Sequence, residues 1–343
     1  MKTIYSPAHL GHAPVEEFEG GRLVPAVERP ERAEAVRARI EERKLGPILA
    51  PREFGSGPVL RVHEPALVRF LGEAFEAWRA HHGEKARAAL PSRWPPRDLD
   101  AKRALDIESR LGTFAFDAGT PIMQGTWEAA RTAANVALTA ADLIRGGEKG
   151  AFALTRPPGH HASGAGFGGF CYLNNIAIAA QYLADAGMRP AVLDVDYHHG
   201  NGTQTIFYAR GDVFFCSIHA DPNFAFPHFL GFADERGAGA GEAANVNLPL
   251  PSGTDWIRYS EAFAKARERV EAFAPEVLLV SLGLDTFIDD PIARFRLRSE
   301  DYLKLGEAIA AFDLPTLFVF EGGYNVEMLG VNTVNVLEAF AGG

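Results

Sequence analysis

Short runs rich in Val, Ile and Phe alternate along this chain with longer amphipathic segments, and no other feature limits the fold so sharply. The strand-like runs are Thr3–Tyr5, Ala151–Leu154, Ala191–Val195, Val213–Ile218, Val246–Leu248, Val277–Leu282 and Thr316–Phe320. The helix-like segments are Pro30–Arg43, Pro65–Arg79, Gly125–Arg145, Asn174–Ala186, Asp255–Phe273, Ser299–Phe312 and Val331–Phe340. Strands separated by helices of this length are joined by crossovers, which imply a parallel sheet covered by helices on both faces. Several runs are almost wholly apolar, as parallel strands buried on both faces are. The expected fold class is therefore α/β, with a mostly parallel multi-stranded sheet. A length of 343 residues would suit one large domain or two, and the even spread of strand candidates from Thr3 to Phe320 favours one domain over residues 1–343. Gly11–Pro25, Ala80–Lys102 and His219–Gly241 lack either periodicity. The second holds Pro91, Pro95 and Pro96 and reads as an irregular insertion at about 80–102.

Composition narrows the function classes. With 47% hydrophobic residues, the chain has material for a sizeable core. Its 34 basic against 44 acidic residues give a net charge of −10, with no basic stripe, which argues against a nucleic-acid partner. The acid excess serves solubility and also suits a cationic ligand. Two cysteines, Cys171 and Cys216, make no disulfide framework and fit a reducing compartment. Apolar stretches reach only about eight residues, against roughly 20 for a membrane span. The N-terminal stretch has no apolar run behind its single lysine, so no signal peptide is expected. The expectation is a cytoplasmic protein with no membrane association.

The unusual polar residues fall at the ends of strand candidates. Ala151–Leu154 leads into Arg156-Pro-Pro-Gly-His160-His161, and Ala191–Val195 carries Asp194 and leads into Asp196-Tyr-His198-His199-Gly-Asn201. Val277–Leu282 leads into Gly283-Leu-Asp285, and Thr316–Phe320 into Glu321-Gly-Gly-Tyr324. Open parallel sheets bind ligands at the carboxyl ends of their strands, so these clusters are expected to converge. Asp196 and His198, two apart on extended chain, point to one side and can grip a metal ion, with Asp285 as third ligand. Alone, the pair would equally serve as a hydrogen-bonded loop. The tandem histidines beside acidic partners suit acid/base work. Asp194 then orients a histidine or acts as a buried acceptor. A tyrosine hydroxyl at position 324 can donate to a developing oxyanion or simply anchor its ring. Phe167–Phe170 and Ala225-Phe226-Pro227 are core residues or the walls of a narrow tunnel.

These motifs, in this order and over essentially the whole chain, resemble the histone deacetylase superfamily. Within it, Glu17-Phe-Glu-Gly-Gly-Arg-Leu-Val-Pro, Asp106-Ile-Glu108, Gly125-Thr-Trp-Glu-Ala-Ala and Asp221 to Gly231 are similar to the bacterial acetylpolyamine amidohydrolase subfamily. The resemblance implies the arginase/deacetylase fold and a zinc-dependent amidohydrolase releasing acetate from small acetylated amines. The alternative it leaves is an acetyl-lysine protein deacetylase. It implies one Zn²⁺, or Fe²⁺ in its place, on Asp196, His198 and Asp285. His161 would be general base and then acid, with Asn201 as its partner where class I deacetylases carry aspartate. His160, paired with Asp194, would be the more electrostatic member. Tyr324 would polarise the acetyl carbonyl, Gly169 would accept the amide N–H, and Phe170 and Phe226 would flank the substrate chain. Glu17 and Glu108 would meet the distal ammonium. A structural K⁺ is implied at Asp194, Ser217 and Ile218, and a homodimer packed through the 80–102 insertion. Arginase, which shares the fold, places carboxylates where this chain has Gly200 and Gly283, so the second metal of arginase has no ligands here.

Overall fold

The computed structural model describes residues 1–96 and 105–342. The elements in chain order are β1 (Lys2–Ile4), β2 (Glu16–Glu19), β3 (Arg22–Pro25), α1 (Glu31–Arg43), β4 (Ile48–Leu49), α2 (Gly57–Leu60), α3 (Pro65–His82), α4 (Ile107–Phe114), α5 (Thr126–Arg145), β5 (Gly150–Ala153), α6 (Asn175–Asp185) and β6 (Pro190–Asp194). They continue with α7 (Asn201–Phe207), β7 (Phe214–Ala220), β8 (Asn245–Leu250), α8 (Trp256–Phe273), β9 (Val277–Leu282), α9 (Ser299–Ala310), β10 (Thr316–Phe320) and α10 (Val326–Gly342).

Eight strands form one parallel sheet in the order β4-β1-β5-β10-β9-β6-β7-β8. Every residue of β6, β7, β9 and β10 is buried, which explains why these runs are mostly apolar without alternation. Alternate side chains still divide between two layers. Phe152, Leu193, Val280 and Phe318 pack towards α1 and α8–α10. Ala151, Val192, Leu279 and Leu317 pack towards α5 and α6 on the other face. A third cluster, around Leu67, Phe70 and Leu111, joins α3 and α4 to Phe167 and Tyr172 beside the sheet's carboxyl edge. Helix starts follow local chemistry: Asn174 accepts the Ala177 N–H at 3.0 Å to open α6, and Asp255 caps α8 through the Arg258 N–H at 3.2 Å.

The expected strands and long helices form within a few residues of their sequence bounds, except that α10 begins at Val326, ahead of Val331. The stretch read as irregular at Gly11–Pro25 contains the antiparallel β2–β3 hairpin, turned by Gly20 and Gly21, both at positive φ. Its charged residues hide the apolar alternation that marks a strand. The short β4, α2, α4 and α7 also carry too few residues for a periodic signal. Of the expected insertion at 80–102, residues 97–102 lie outside the described residues. The rest holds the end of α3 and a bridge between Ala89 and Ile122.

Candidate active site

The strands β5, β10, β9 and β6 are neighbours in the sheet, so the loops that follow them meet at one edge. Register sharpens this. Asp194 lies opposite Ser281 on one side and Ser217 on the other, which brings the end of β6 level with β9 and β7.

Asp196, His198 and Asp285 are buried, and one ligand atom from each lies within 4.8 Å of the others. His198 Nδ1 is 2.9 Å from an Asp285 oxygen and 3.4 Å from an Asp196 oxygen. Backbone donors hold the outer oxygens: Gly322 N–H on Asp196 at 2.8 Å and Tyr197 N–H on Asp285 at 2.8 Å. Glycine is required around them, since a Cβ on Gly283 would begin 2.0 Å from an Asp196 oxygen and one on Gly322 2.6 Å from an Asp285 oxygen. Two carboxylates facing each other without water are unfavourable unless a cation joins them. Burial and the Asp196 charge push Asp285 up to about 7. Burial disfavours a charged His198, yet Asp196 and Asp285 outweigh it and raise that imidazole to about 10. Both shifts express one need for positive charge, and two carboxylates with one imidazole suit a divalent ion. The residues therefore fit a metal.

The tandem histidines separate into different roles. His160 Nδ1 donates to Asp194 at 2.9 Å, while Asp194's other oxygen accepts the Asp196 N–H at 3.1 Å. Burial opposes charging His160, but Asp196 and Asp194 prevail and raise it to about 10. His161 Nδ1 lies 2.7 Å from Asn201 Oδ1, which can only accept, so Nδ1 carries the proton and Nε2 keeps a lone pair. Burial, with the cationic His160 and His198 nearby, drives His161 well below its ordinary value. One histidine is a fixed cation and the other a neutral base, with ring centroids 4.0 Å apart. Glu321 sets the turn that carries both, accepting the Gly159 N–H at 2.6 Å and the His160 N–H at 3.1 Å.

Tyr324 shares a cavity of about 660 Å³ with His161, His198, Gly169, Phe170 and Phe226. Its ring lies 5.8 Å from Phe170 and under the Arg32 guanidinium at 4.6 Å. Burial pushes its hydroxyl well above the ordinary range, so it remains a donor. Phe226 meets His161 edge-on at 5.0 Å. Glu17, itself buried, lines this cavity. Burial, then the nearby Glu28, Glu19 and Asp117 charges, raise it to about 7 against the pull of the Val27 N–H. Glu108 is not among the residues lining the cavity. Its carboxylate is engaged by Arg93 and by His82 at 3.3 Å. Ser217 and Ile218 sit on β7 beside Asp194, and the Ser217 hydroxyl pairs with His219 Nδ1 at 2.8 Å.

Some of this machinery carried no sequence signal. Glu28 holds two buried arginines, Arg32 at 2.8 Å and Arg156 at 2.8 Å. Arg32 in turn donates to the carbonyls of Gly323 at 2.6 Å and Glu321 at 2.5 Å, under the Tyr324 loop. Asp290 accepts the Tyr324 N–H at 2.8 Å. Glu28 lies in the loop ahead of α1 and Asp290 in the loop after β9, where no period marks a buried acid.

Known proteins agree with the geometry. The histone deacetylase domain family matches residues 26–340. Acetylpolyamine amidohydrolase 2 of Pseudomonas aeruginosa is 50% identical across all of this chain and 99% of its own length. Acetylpolyamine amidohydrolase of Mycoplana ramosa is 47% identical, with each chain fully covered. The crystal structure of an acetylpolyamine aminohydrolase from Burkholderia pseudomallei superposes with a TM-score of 0.94 at 40% identity, covering 99% of this chain and 98% of that one. With the metal-fitting triad and the paired histidines on this sheet edge, the chain belongs to the histone deacetylase family, as a deacetylase.

Proposed function

We propose that the protein hydrolyses the acetyl amide of small acetylated diamines and polyamines to free amine and acetate, with one Zn²⁺ held by Asp196, His198 and Asp285. The observation that carries this reading is the single cavity joining His161 and Tyr324 to Glu17 and Glu19 at its mouth. An acetyl group at its floor leaves a distal ammonium near carboxylates. The names of the Pseudomonas and Mycoplana relatives support the same substrate class.

When bound, the ion supplies Lewis acidity to the acetyl carbonyl and acidifies a water. His161 Nε2 takes the proton of the attacking water and later gives it to the leaving amine. His160, held cationic by Asp194 and Asp196, keeps positive charge beside the growing negative charge. Tyr324 donates to the carbonyl oxygen as that charge gathers. The Gly169 carbonyl accepts the amide N–H, and Phe170 and Phe226 admit an unbranched chain. Asn201 keeps the His161 tautomer without adding charge. The reading extends to K⁺ beside Asp194, Ser217 and Ile218, to a homodimer, and to the cytoplasm. The two buried free cysteines suit that compartment, and no described helix is long and apolar enough to cross a membrane.

The test is kcat/KM for acetylputrescine, acetylcadaverine, acetylspermidine and an acetyl-lysine peptide on zinc-loaded protein. The small amines are expected to lead. A peptide that outperforms all three would transfer the assignment to protein deacetylation.

A further inference from the structure

The mouth of the cavity carries both signs of charge, and an ammonium uses only one. Glu17 and Glu19 come from β2, and Asp117 from the loop after α4. They form one side. A Cβ on Gly119 would begin 3.1 Å from the Phe18 carbonyl, and Asp117 accepts the Gly169 N–H. Another segment, Pro291 to Arg294, completes the mouth. Asp290 ties it to the catalytic tyrosine, accepting the Ile292 N–H at 3.1 Å and the Tyr324 N–H at 2.8 Å. Arg294 is exposed and makes no side-chain ion pair among the described residues. It lines the same cavity as Tyr197 and Tyr324. A free guanidinium here repels a head group that is only cationic. It suits one that also carries a carboxylate, which arginine binds with two parallel hydrogen bonds.

We infer that the mouth binds a zwitterionic head group, with Arg294 on a carboxylate and Glu17 and Glu19 on an ammonium, so that free amino acids acetylated on their side-chain amine are substrates of this site. The inference rests on the deacetylase reading above. The reaction is unchanged: water's oxygen joins the acyl carbon, the C–N bond breaks, and the side-chain amine leaves with a proton. A free diamino acid and acetate result. Acetyl-lysine within a peptide lacks both head-group charges and gains nothing from the mouth.

Nε-acetyl-L-lysine and N-acetylcadaverine differ by one carboxylate, so they isolate the effect. Their kcat/KM values are measured on zinc-loaded full-length protein carrying Arg294, R294Q or R294K. R294Q is expected to lower the acetyl-lysine value about five- to tenfold, through KM, and to raise the acetylcadaverine value about twofold by removing repulsion. R294K is expected to keep most of the wild-type ratio. An acetyl-lysine to acetylcadaverine ratio that R294Q leaves unchanged, or wild-type protein that processes acetylcadaverine but not acetyl-lysine, overturns this inference alone. Turnover of neither overturns the deacetylase reading and the inference with it.

Discussion

A hydroxyl can stabilise a forming oxyanion only while it keeps its proton, and the buried Tyr324 does so across the working pH range. Losing one such donor costs roughly 10²–10³ in kcat. Tyr324→Phe is expected to fall by that amount while still binding zinc, measured as steady-state kcat beside metal content. The histidines differ for a reason equally local. Asn201 leaves His161 neutral with a free Nε2, and two carboxylates keep His160 charged. His161→Ala should therefore lose more kcat than His160→Ala, and equal small losses would place the base elsewhere. Glu17 is raised to about 7, so it is neutral below that pH and attracts an ammonium only above it. KM for acetylputrescine should fall as pH rises through about 7. Glu17→Gln should raise KM and flatten that profile, and added salt should shrink the wild-type advantage.

At the scale of elements, the loops that do chemistry are fixed from beneath by one buried ion network. Glu28, in the loop just ahead of α1, holds Arg32 and Arg156, and Arg32 braces the backbone of the β10 loop. Removing one partner of a buried charge cluster typically costs about 3–5 kcal/mol, because the others remain unpaired without water. Glu28→Ala is expected to lose stability of that order in urea unfolding. A loss near that of an exposed glutamate would mean the arginines find other partners. The elements themselves were legible where the pattern runs long enough: the almost wholly apolar β6, β9 and β10, and the long α5 and α8. The β2–β3 hairpin was not, because its strands are four residues each and β2 is three-quarters glutamate, although it brings Glu17 to the cavity.

For the whole molecule, the sheet edge buries Asp196 and Asp285 against each other, so a divalent ion bound there would stabilise the fold as well as serve the reaction. A ligand present at about 100 times its Kd adds roughly 2.7 kcal/mol to folding stability. A chelator should therefore abolish turnover and lower the melting temperature together. Zn²⁺ or Co²⁺ should restore both, whereas full activity in metal-free protein would remove the mechanism.

Read alone, the sequence determined the layered α/β architecture and singled out the polar clusters that meet at the sheet edge. Both are written in short range. Burial on two faces makes a strand apolar throughout, and residues two apart at a strand's end share a side, as Asp196 and His198 do. The order β5-β10-β9-β6, the brace from Glu28 to the Tyr324 loop, and the meeting of Glu17 with Arg294 at one mouth were decided only by the tertiary structure. Each joins residues distant in the chain, from Thr316 beside Leu278 to Arg32 beside Gly323. Such contacts arise from how the layers close on one another, and no local period records that.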